Sequence, residues 1–503
     1  MFGSLKKYWN EKPLASILWI AFLVRLVSVI FSKGFGWHDD HFLVIEAAQA
    51  WADGTDYNNW LPGSGAALPD GHSFLYSGIH FVIFKLMNLV HLYDPQSKMF
   101  FIRLMHALLS LLIVSFGYKI ANKLGDKTTA RTTGLLLALY WFMPFLSVRN
   151  LVEFVTIPFL LWGCWIITNN ENKSAWKFCI AGFILGLSVS FRFQSSIMVA
   201  GILIALIIQK HFRAFLFVTI GSVISFCIIQ VPADFIFWNR PFAEFSEYIR
   251  YNIANSHNYG KNTWYSYTIL ILGMLIPPVS FFLFFGFLRT WKKHLLLFLP
   301  TILFLVFHSY FPNKQERFIL TIVPFIILLG VIGWNDFKNR SSFSNRTIKI
   351  LNGCIVFSIV INFILLPVIS TMYSKRSRVE SMVYLSKYNN VSMIVMEDRR
   401  HETAKIPPEF YLGQWINVGE VSQTIPIDSM KAAYKTTEKD RLPKFVLFCE
   451  DYDLEKRVSE MKGFFPGLTY ETTIEPGFID DLLFKLNPKN ANQTIYIYRT
   501  RNF

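Results

Sequence analysis

Long apolar runs separated by short polar connectors occupy the first three quarters of the chain. A helix crossing a bilayer needs about 20 mostly apolar residues, and runs near that length fall at 14–32, 74–92, 99–120, 132–148, 150–168, 177–191, 195–209, 214–232, 267–288, 294–308, 317–334 and 349–373. This pattern predicts an all-α polytopic membrane bundle of about 11–13 spans. The first run lacks a small-residue cleavage site and is followed by further runs, so it reads as a retained span. From 374 the texture changes to mixed polar sequence with strand-like segments at 391–396, 445–448 and 494–498. Residues 374–503 are therefore expected to form a soluble α/β or α+β domain with its own core, following a membrane domain of 1–373. Proline and glycine at 406–411 and 463–467 mark loops within it.

Composition agrees with the pattern. Apolar residues make up 53% of the chain and 50 of its 503 residues are Phe, and the mean hydropathy is positive, a balance that soluble domains rarely show. A net charge of +15 would point to nucleic acid in a soluble protein, but here the charge sits between spans. Lys6, Lys7 and Lys12 precede the first run. Short connectors then carry Lys123, Lys127 and Arg131, Lys173 and Lys177, Lys210 and Arg213, Arg289, Lys292 and Lys293, and Lys338, Arg340, Arg346 and Lys349. The positive-inside rule makes these cytoplasmic. Loops 33–73, 149–153, 191–195, 233–266 and 308–317 then share the non-cytoplasmic face, as does the C-terminal domain. Parity requires an odd number of crossings between 73 and 121, where two apolar runs are visible. Either one of them crosses incompletely or an extra break lies there. The topology fits a bacterial inner membrane and an endoplasmic reticulum equally. Of the five cysteines, Cys164, Cys179, Cys227 and Cys354 lie in apolar runs and Cys449 in the tail, which indicates neither a disulfide framework nor a cysteine metal site.

Candidate chemistry gathers in the non-cytoplasmic loops. Trp37-His38-Asp39-Asp40-His41-Phe42 places two adjacent carboxylates just beyond the first span. They read as catalytic acids, or as solvated charges favoured at the start of the helical stretch that follows. That stretch, 42–51, is amphipathic and of the kind that lies in the membrane interface. Glu153 sits in the first turn of a span, where a carboxylate is costly and is usually functional or paired. Pairing with Arg149 across one turn explains it as well. Arg192 either snorkels to headgroups or faces an anionic ligand. Loop 233–266 mixes Asp234, Asn252, Tyr259, Trp264 and Tyr267 at a density that suits sugar binding, or an aromatic interfacial belt. His308 leads into a basic segment in which Lys314 and Arg317 share one face and form a phosphate clamp. Headgroup anchoring is the bland alternative, although positive charge is sparse on the outer side of membrane proteins.

The order of these segments resembles the family 22 glycosyltransferases of the GT-C superfamily, the polyprenyl-phosphate-mannose-dependent mannosyltransferases of N-glycan and GPI-anchor assembly. The family's His-Pro-Asp-Glu with a nearby Phe is similar to Trp37-His38-Asp39-Asp40 with Phe42, and its His-Lys-Glu-x-Arg-Phe to Asn313-Lys314-Gln315-Glu316-Arg317-Phe318. Its intervening Asp, Tyr-Asn and Tyr-Gly, then Trp and Tyr, look like Asp234, Tyr251-Asn252, Tyr259-Gly260, Trp264 and Tyr267. Trp37, His38, Asp40, Asn313 and Gln315 depart from the family's His, Pro, Glu, His and Glu, which bears on the acceptor and the sugar more than on the reaction. The tail lies outside the traced resemblance.

The resemblance implies transfer of a hexose, mannose in the family, from a polyprenyl-phosphate donor to a glycan or glycolipid acceptor within the lipid bilayer, with no nucleic acid partner. Such a reaction needs one base for the acceptor hydroxyl and cations for the departing phosphate. Asp39 aligns with the family's Asp and is the expected base. Asp40 orients the acceptor or binds metal, and Glu153 is a third acid. Arg192, Lys314, Arg317 and His308 are the expected donor-phosphate residues, and Asp234, Asn252, Tyr259, Trp264 and Tyr267 the expected sugar or acceptor residues. The resemblance assigns no certain cofactor. A divalent metal between Asp39 and Asp40 stays open, with His38 and His41 beside them. Two other classes compete: a transporter or flippase of lipid-linked sugars, and an outer-face oligosaccharide ligase or polymerase. A transporter would usually show internal repeats, and none is visible.

Overall fold

The computed structural model describes residues 2–62, 68–69, 71–258, 262–429, 442–487, 490 and 492–501. It resolves into two compact units. One comprises Met1–Phe31, Asn58–Ile79 and Ile102–Thr371, the other Ser32–Tyr57, His80–Phe101 and Met372–Phe503.

The first unit is a helical membrane bundle. Among the described residues, five helices are long and apolar enough to span: Pro13–Phe31, Pro95–Leu124, Phe212–Trp238, Glu316–Arg340 and Asn345–Ser370. Ser266–Met274 and Val279–Arg289 form a further apolar pair bent by 119°, where a single run was expected at 267–288. Five shorter apolar helices complete the set: Phe74–Leu89, Val152–Thr168, Ala175–Phe191, Ser195–Ile208 and Leu295–Tyr310. The run at 132–148 is also broken, into Lys127–Leu139 and Met143–Leu146.

These breaks have a structural logic. Unpaired backbone within membrane depth is tolerated only where protein satisfies it. Arg25, fully buried in the first span, donates to the freed carbonyls of Leu137 at 3.2 Å and Ala138 at 3.3 Å, and to Ser110 Oγ at 2.8 Å. The short helices, at 1.5 Å per residue, leave non-helical backbone at their ends. Arg192 is the extended residue that ends Ala175–Phe191, and Gln315 precedes the 3-10 turn Glu316–Ile322. Helix Ala175–Phe191 is held against Phe212–Trp238 by small residues. A Cβ on Gly182 would stand 2.1 Å from the Val218 carbonyl oxygen, and one on Gly221 2.0 Å from that of Cys179, a close approach typical of membrane helix pairs.

The second unit contains a mixed sheet of β1 (Met393–Asp398), β2 (Asn417–Ser422), β3 (Phe445–Cys449), β4 (Thr469–Ile474) and β5 (Ile495–Arg499), in the order β2-β1-β3-β5-β4. β1 pairs in parallel with β2 and β3, while β5 is antiparallel to β3 and β4. Val395, Val421, Val446 and Phe448 pack with Val458, Met461, Phe465 and Leu468 beneath it. The strand-like segments read from sequence are β1, β3 and β5.

Segment 42–51, expected to lie in the interface, is instead packed inside this unit. His41–Glu46 winds as a π-helix that continues into Ala47–Asp53, and Phe42, Val44, Ile45, Ala47, Ala48 and Ala50 are all buried. Phe84 and Phe410 pack 5.6 Å apart, and Lys98 Nζ donates to Gln49 Oε1 at 2.9 Å and Asn88 Oδ1 at 2.8 Å. Its apolar face found protein, not lipid.

Candidate active site

In the bundle, three expected residues from three distant segments meet. Glu153 is buried in the first turn of Val152–Thr168. Arg192 reaches it at 3.0 Å and Arg317 at 3.8 Å. Both guanidinium groups also stand over the Phe318 ring, at 5.6 and 5.5 Å from its centroid, a favourable placement for a desolvated cation. Arg149, weighed from sequence as the partner of Glu153, lies over the Phe145 ring at 4.4 Å.

The cluster carries two cations and one carboxylate in buried surroundings. A net positive charge there is expensive unless an anion joins it. Neither Glu153 oxygen accepts an aligned hydrogen bond from the described residues, so the carboxylate meets the two arginines as a charge partner. Two glutamines set their pitch: Gln194 Oε1 accepts from Arg192 Nε at 3.4 Å and Gln315 Oε1 from Arg317 Nε at 2.9 Å. Tyr267, an expected sugar residue, is buried and donates to the Gln315 carbonyl at 2.9 Å, which fixes the segment before Arg317. Thr321 donates to the Glu153 carbonyl at 3.3 Å.

His308 is buried beside this group, with its ring 6.3 Å from that of Phe318. Its Nδ1 faces the Phe304 carbonyl at 2.9 Å, while Nε2 has no hydrogen-bond partner among the described residues. Lys314 is half-buried and donates to the Phe311 carbonyl at 3.0 Å. No contact joins it to Glu153.

The remaining bundle residues are dispersed. Asp234 is buried and accepts from Gln230 Nε2 at 3.0 Å within its helix and from the Glu244 backbone at 3.3 Å, the second bond tying Phe212–Trp238 to helix Ala243–Ala254. Asn252 Nδ2 donates to the Tyr248 carbonyl at 2.8 Å within that helix. Trp264 is exposed and stacks on Tyr310 at 6.5 Å. Tyr259 lies outside the described residues.

In the second unit, Asp39 and Asp40 sit on a single turn, His38–Asp40, between the first span and the π-helix. Asp40 is buried and Asp39 half-buried. The ring of His38 packs on Phe42 at 4.3 Å. π-helical insertions concentrate at functional sites because they displace side chains from the regular helical positions.

Beneath the turn lies a polar cluster that sequence reasoning missed. His41 is sandwiched between Phe35 at 4.4 Å and Tyr411 at 5.5 Å, with Nε2 3.2 Å from Glu46. Glu46 accepts from the Phe410 backbone at 3.1 Å. Burial pushes the Glu46 carboxyl up to about 8 and the His41 imidazole down to about 3, so both are neutral near pH 7. The buried Arg378 guanidinium stands over Phe35 at 5.3 Å and donates to the Ile406 carbonyl. The available signal was Glu46 itself, a lone acid in the apolar stretch 42–51, together with the proline pair that precedes Glu409.

Comparison with known proteins decides the class. Residues 16–407 match the model of the Alg9-like mannosyltransferase family. The chain belongs to this family. It is therefore a glycosyltransferase of the mannosyltransferase type, which sets aside the transporter and ligase readings. A curated relative, GPI mannosyltransferase 3 of Debaryomyces hansenii, is 21% identical over 401 residues, spanning 75% of this chain and 69% of the relative. Among solved structures, ArnT from Cupriavidus metallidurans matches in its apo state with TM-score 0.62 and 13% identity, covering 98% of each chain. Its form bound to undecaprenyl phosphate matches with TM-score 0.61 and 13% identity, over 97% of this chain and 98% of that one. The oligosaccharyltransferase of Archaeoglobus fulgidus in complex with Zn and sulfate follows at 0.53 and 11%, over 86% of this chain and 68% of that one. These likenesses place the chain in the GT-C fold.

Proposed function

We propose that this enzyme transfers a mannosyl residue from a polyprenyl-phosphate-linked donor to a hydroxyl of a glycan or glycolipid acceptor on the non-cytoplasmic face of its membrane. The convergence of Arg192 and Arg317 on Glu153 and Phe318 carries the reading. Two guanidinium groups gathered on a single carboxylate match the chemistry of a phosphate diester that must leave as a phosphate monoester. Solved members of the fold hold undecaprenyl phosphate and dolichol phosphate, the same ligand chemistry.

In the proposed step Asp39 takes the proton of the acceptor hydroxyl. The acceptor oxygen bonds to the sugar's anomeric carbon as the bond from that carbon to the phosphate oxygen breaks. The departing polyprenyl phosphate gains charge, which Arg192, Arg317 and Lys314 stabilise, with His308 packed beside them. No general acid is needed. Asp40 orients the acceptor. If a divalent cation takes part, Asp39 and Asp40 are the carboxylates placed to hold it; its chemistry would be to neutralise donor phosphate. Among the described residues no three His, Cys, Asp or Glu side chains converge on one point, so most of its ligands would come from water and substrate. His41, between two rings and beside Glu46, is turned to other work.

In this reading Phe74–Leu89 returns to the side it starts from and Pro95–Leu124 crosses; with Lys127–Leu146 as one broken crossing and the bent pair as another, the proposed count is eleven crossings among the described residues. The positive-inside rule then puts the basic connectors inside and Asp39 outside.

Transfer assays with polyprenyl-phosphate mannose and with nucleotide-activated mannose test the proposal. Turnover of the lipid-linked donor alone supports it, and turnover of the nucleotide donor alone contradicts it.

A further inference from the structure

Helix Phe478–Leu486 of the second unit has its polarity reversed. Helices on a domain surface turn apolar residues inward and charges outward. Here the inward residue is Asp480, 2% exposed, which accepts from the Arg376 backbone at 3.1 Å and stands 3.5 Å from Asn492 Nδ2. The outward residues are Phe478, Leu482, Leu483 and Leu486, exposed by 79, 44, 39 and 75%. At 3.6 residues per turn, Phe478, Leu482 and Leu486 form one stripe with Leu483 on its flank. Lys485 and Asp481, paired at 2.7 Å, border the stripe.

The position of the helix says what covers the stripe. Ser32 donates to the Met372 carbonyl at 3.1 Å, the Ser374 backbone to the Lys33 carbonyl at 3.1 Å, and Gly34 bridges Ser374. These residues directly follow two membrane spans, Pro13–Phe31 and Asn345–Ser370, so the bridge marks where both leave the bilayer. The helix is fastened at that point. A Cβ on Gly477 would lie 3.1 Å from the Tyr373 carbonyl oxygen, and Lys375 Nζ donates to Asn492 Oδ1 at 3.3 Å. Tyr373 follows Ser370 by three residues, at most about 10 Å of extended chain. The outward face of Asn345–Ser370 is itself lipid-like up to its end, with Phe363, Ile364 and Val368 exposed.

We infer that Phe478–Leu486 is an interfacial anchor that lies in the outer surface of the bilayer, with Phe478, Leu482 and Leu486 inserted among acyl chains and Lys485 at the headgroups. The anchor ties the second unit to the membrane surface. It is independent of which sugar or acceptor the enzyme uses.

The test uses full-length protein in phosphatidylcholine and phosphatidylglycerol nanodiscs whose acyl chains carry a photoactivatable carbene precursor, with labelled peptides quantified by mass spectrometry. Peptide 478–486 is expected to label about fivefold more than Leu454–Lys462, a surface helix of the same unit, because only an interfacial helix reaches acyl depth. Phe478→Ser combined with Leu486→Ser should bring its labelling down to the Leu454–Lys462 level without lowering the melting temperature, since both side chains face outward. Equal labelling of the two peptides in the wild type, undiminished labelling in the variant, or coverage of the stripe by a second copy of the chain would each overturn the inference.

Discussion

Arg192 holds Glu153 at 3.0 Å although it comes from the far end of the next helix, and Glu153 is buried together with Arg317. A carboxylate between two guanidinium groups lowers the cost of withdrawing them from water. The partners therefore differ in what their loss should do.

Replacing Arg192 or Arg317 by Gln removes a cation that faces the leaving phosphate. Each variant should lose about 10²–10³-fold in turnover of lipid-linked donor, the range for loss of one preorganised transition-state donor. Steady-state assays of detergent-solubilised protein check this, and turnover within a factor of three of wild type in both variants would remove the clamp.

Glu153→Gln leaves the buried Arg317 and the partly buried Arg192 without their carboxylate. Its main effect should fall on stability, by about 3–5 kcal/mol, as when one partner of a buried pair is lost. Thermal unfolding monitored through the bundle should show a clear drop in melting temperature. An unchanged melting temperature would show that Glu153 does not hold the arginines in place.

Glu46 supplies a pH signature in the second unit. Its carboxyl is raised from 4.5 to about 8 by burial, so in the folded protein it stays protonated where the unfolded chain has released the proton. The stability linked to it is complete below pH 4.5 and is lost as pH rises through 8. Glu409, also pushed up to about 8, acts in the same direction. Wild type should therefore melt lower at pH 8 than at pH 5.5, and Glu46→Gln should flatten that slope. An unaltered slope in the variant would place the titration elsewhere.

Gly182 meets backbone, which cannot yield as a side chain can. Gly182→Val should separate Ala175–Phe191 from Phe212–Trp238, since its Cβ would stand 2.1 Å from the Val218 carbonyl oxygen. Because Arg192 ends that helix, both folded yield and activity should fall, whereas Gly353→Val, at a position with open space, should leave both unchanged.

The bundle was largely legible because spans follow from apolar length alone, and the three central strands because β1 and β3 are buried on both faces and β5 alternates Ile with Tyr. β2 and β4 went unread. Each lies at a sheet edge, and their Asn417, Gly419 and Glu420, or Tyr470, Glu471, Thr472 and Thr473, carry the polar character of half-solvated strands. Glu153, Arg192 and Arg317 stood out as charges at membrane depth, but their meeting depends on helix breaks at Arg192 and Gln315 that no periodicity reports. The 42–51 stretch misled because an amphipathic pattern specifies that one face is covered without specifying whether lipid or protein covers it. The sandwich of His41 between Phe35 and Tyr411 joins residues far apart in sequence and left no local trace.

The central claim is that Asp39 is the base for transfer from a lipid phosphate donor. Its most direct test is a comparison of wild type and Asp39→Asn, purified side by side, for mannose transfer from polyprenyl-phosphate mannose to an acceptor extract from the native membrane. Loss of transfer by about 10²–10⁴-fold, the usual contribution of a positioned base, with unchanged melting temperature is the predicted result. Wild-type turnover by Asp39→Asn would contradict the account.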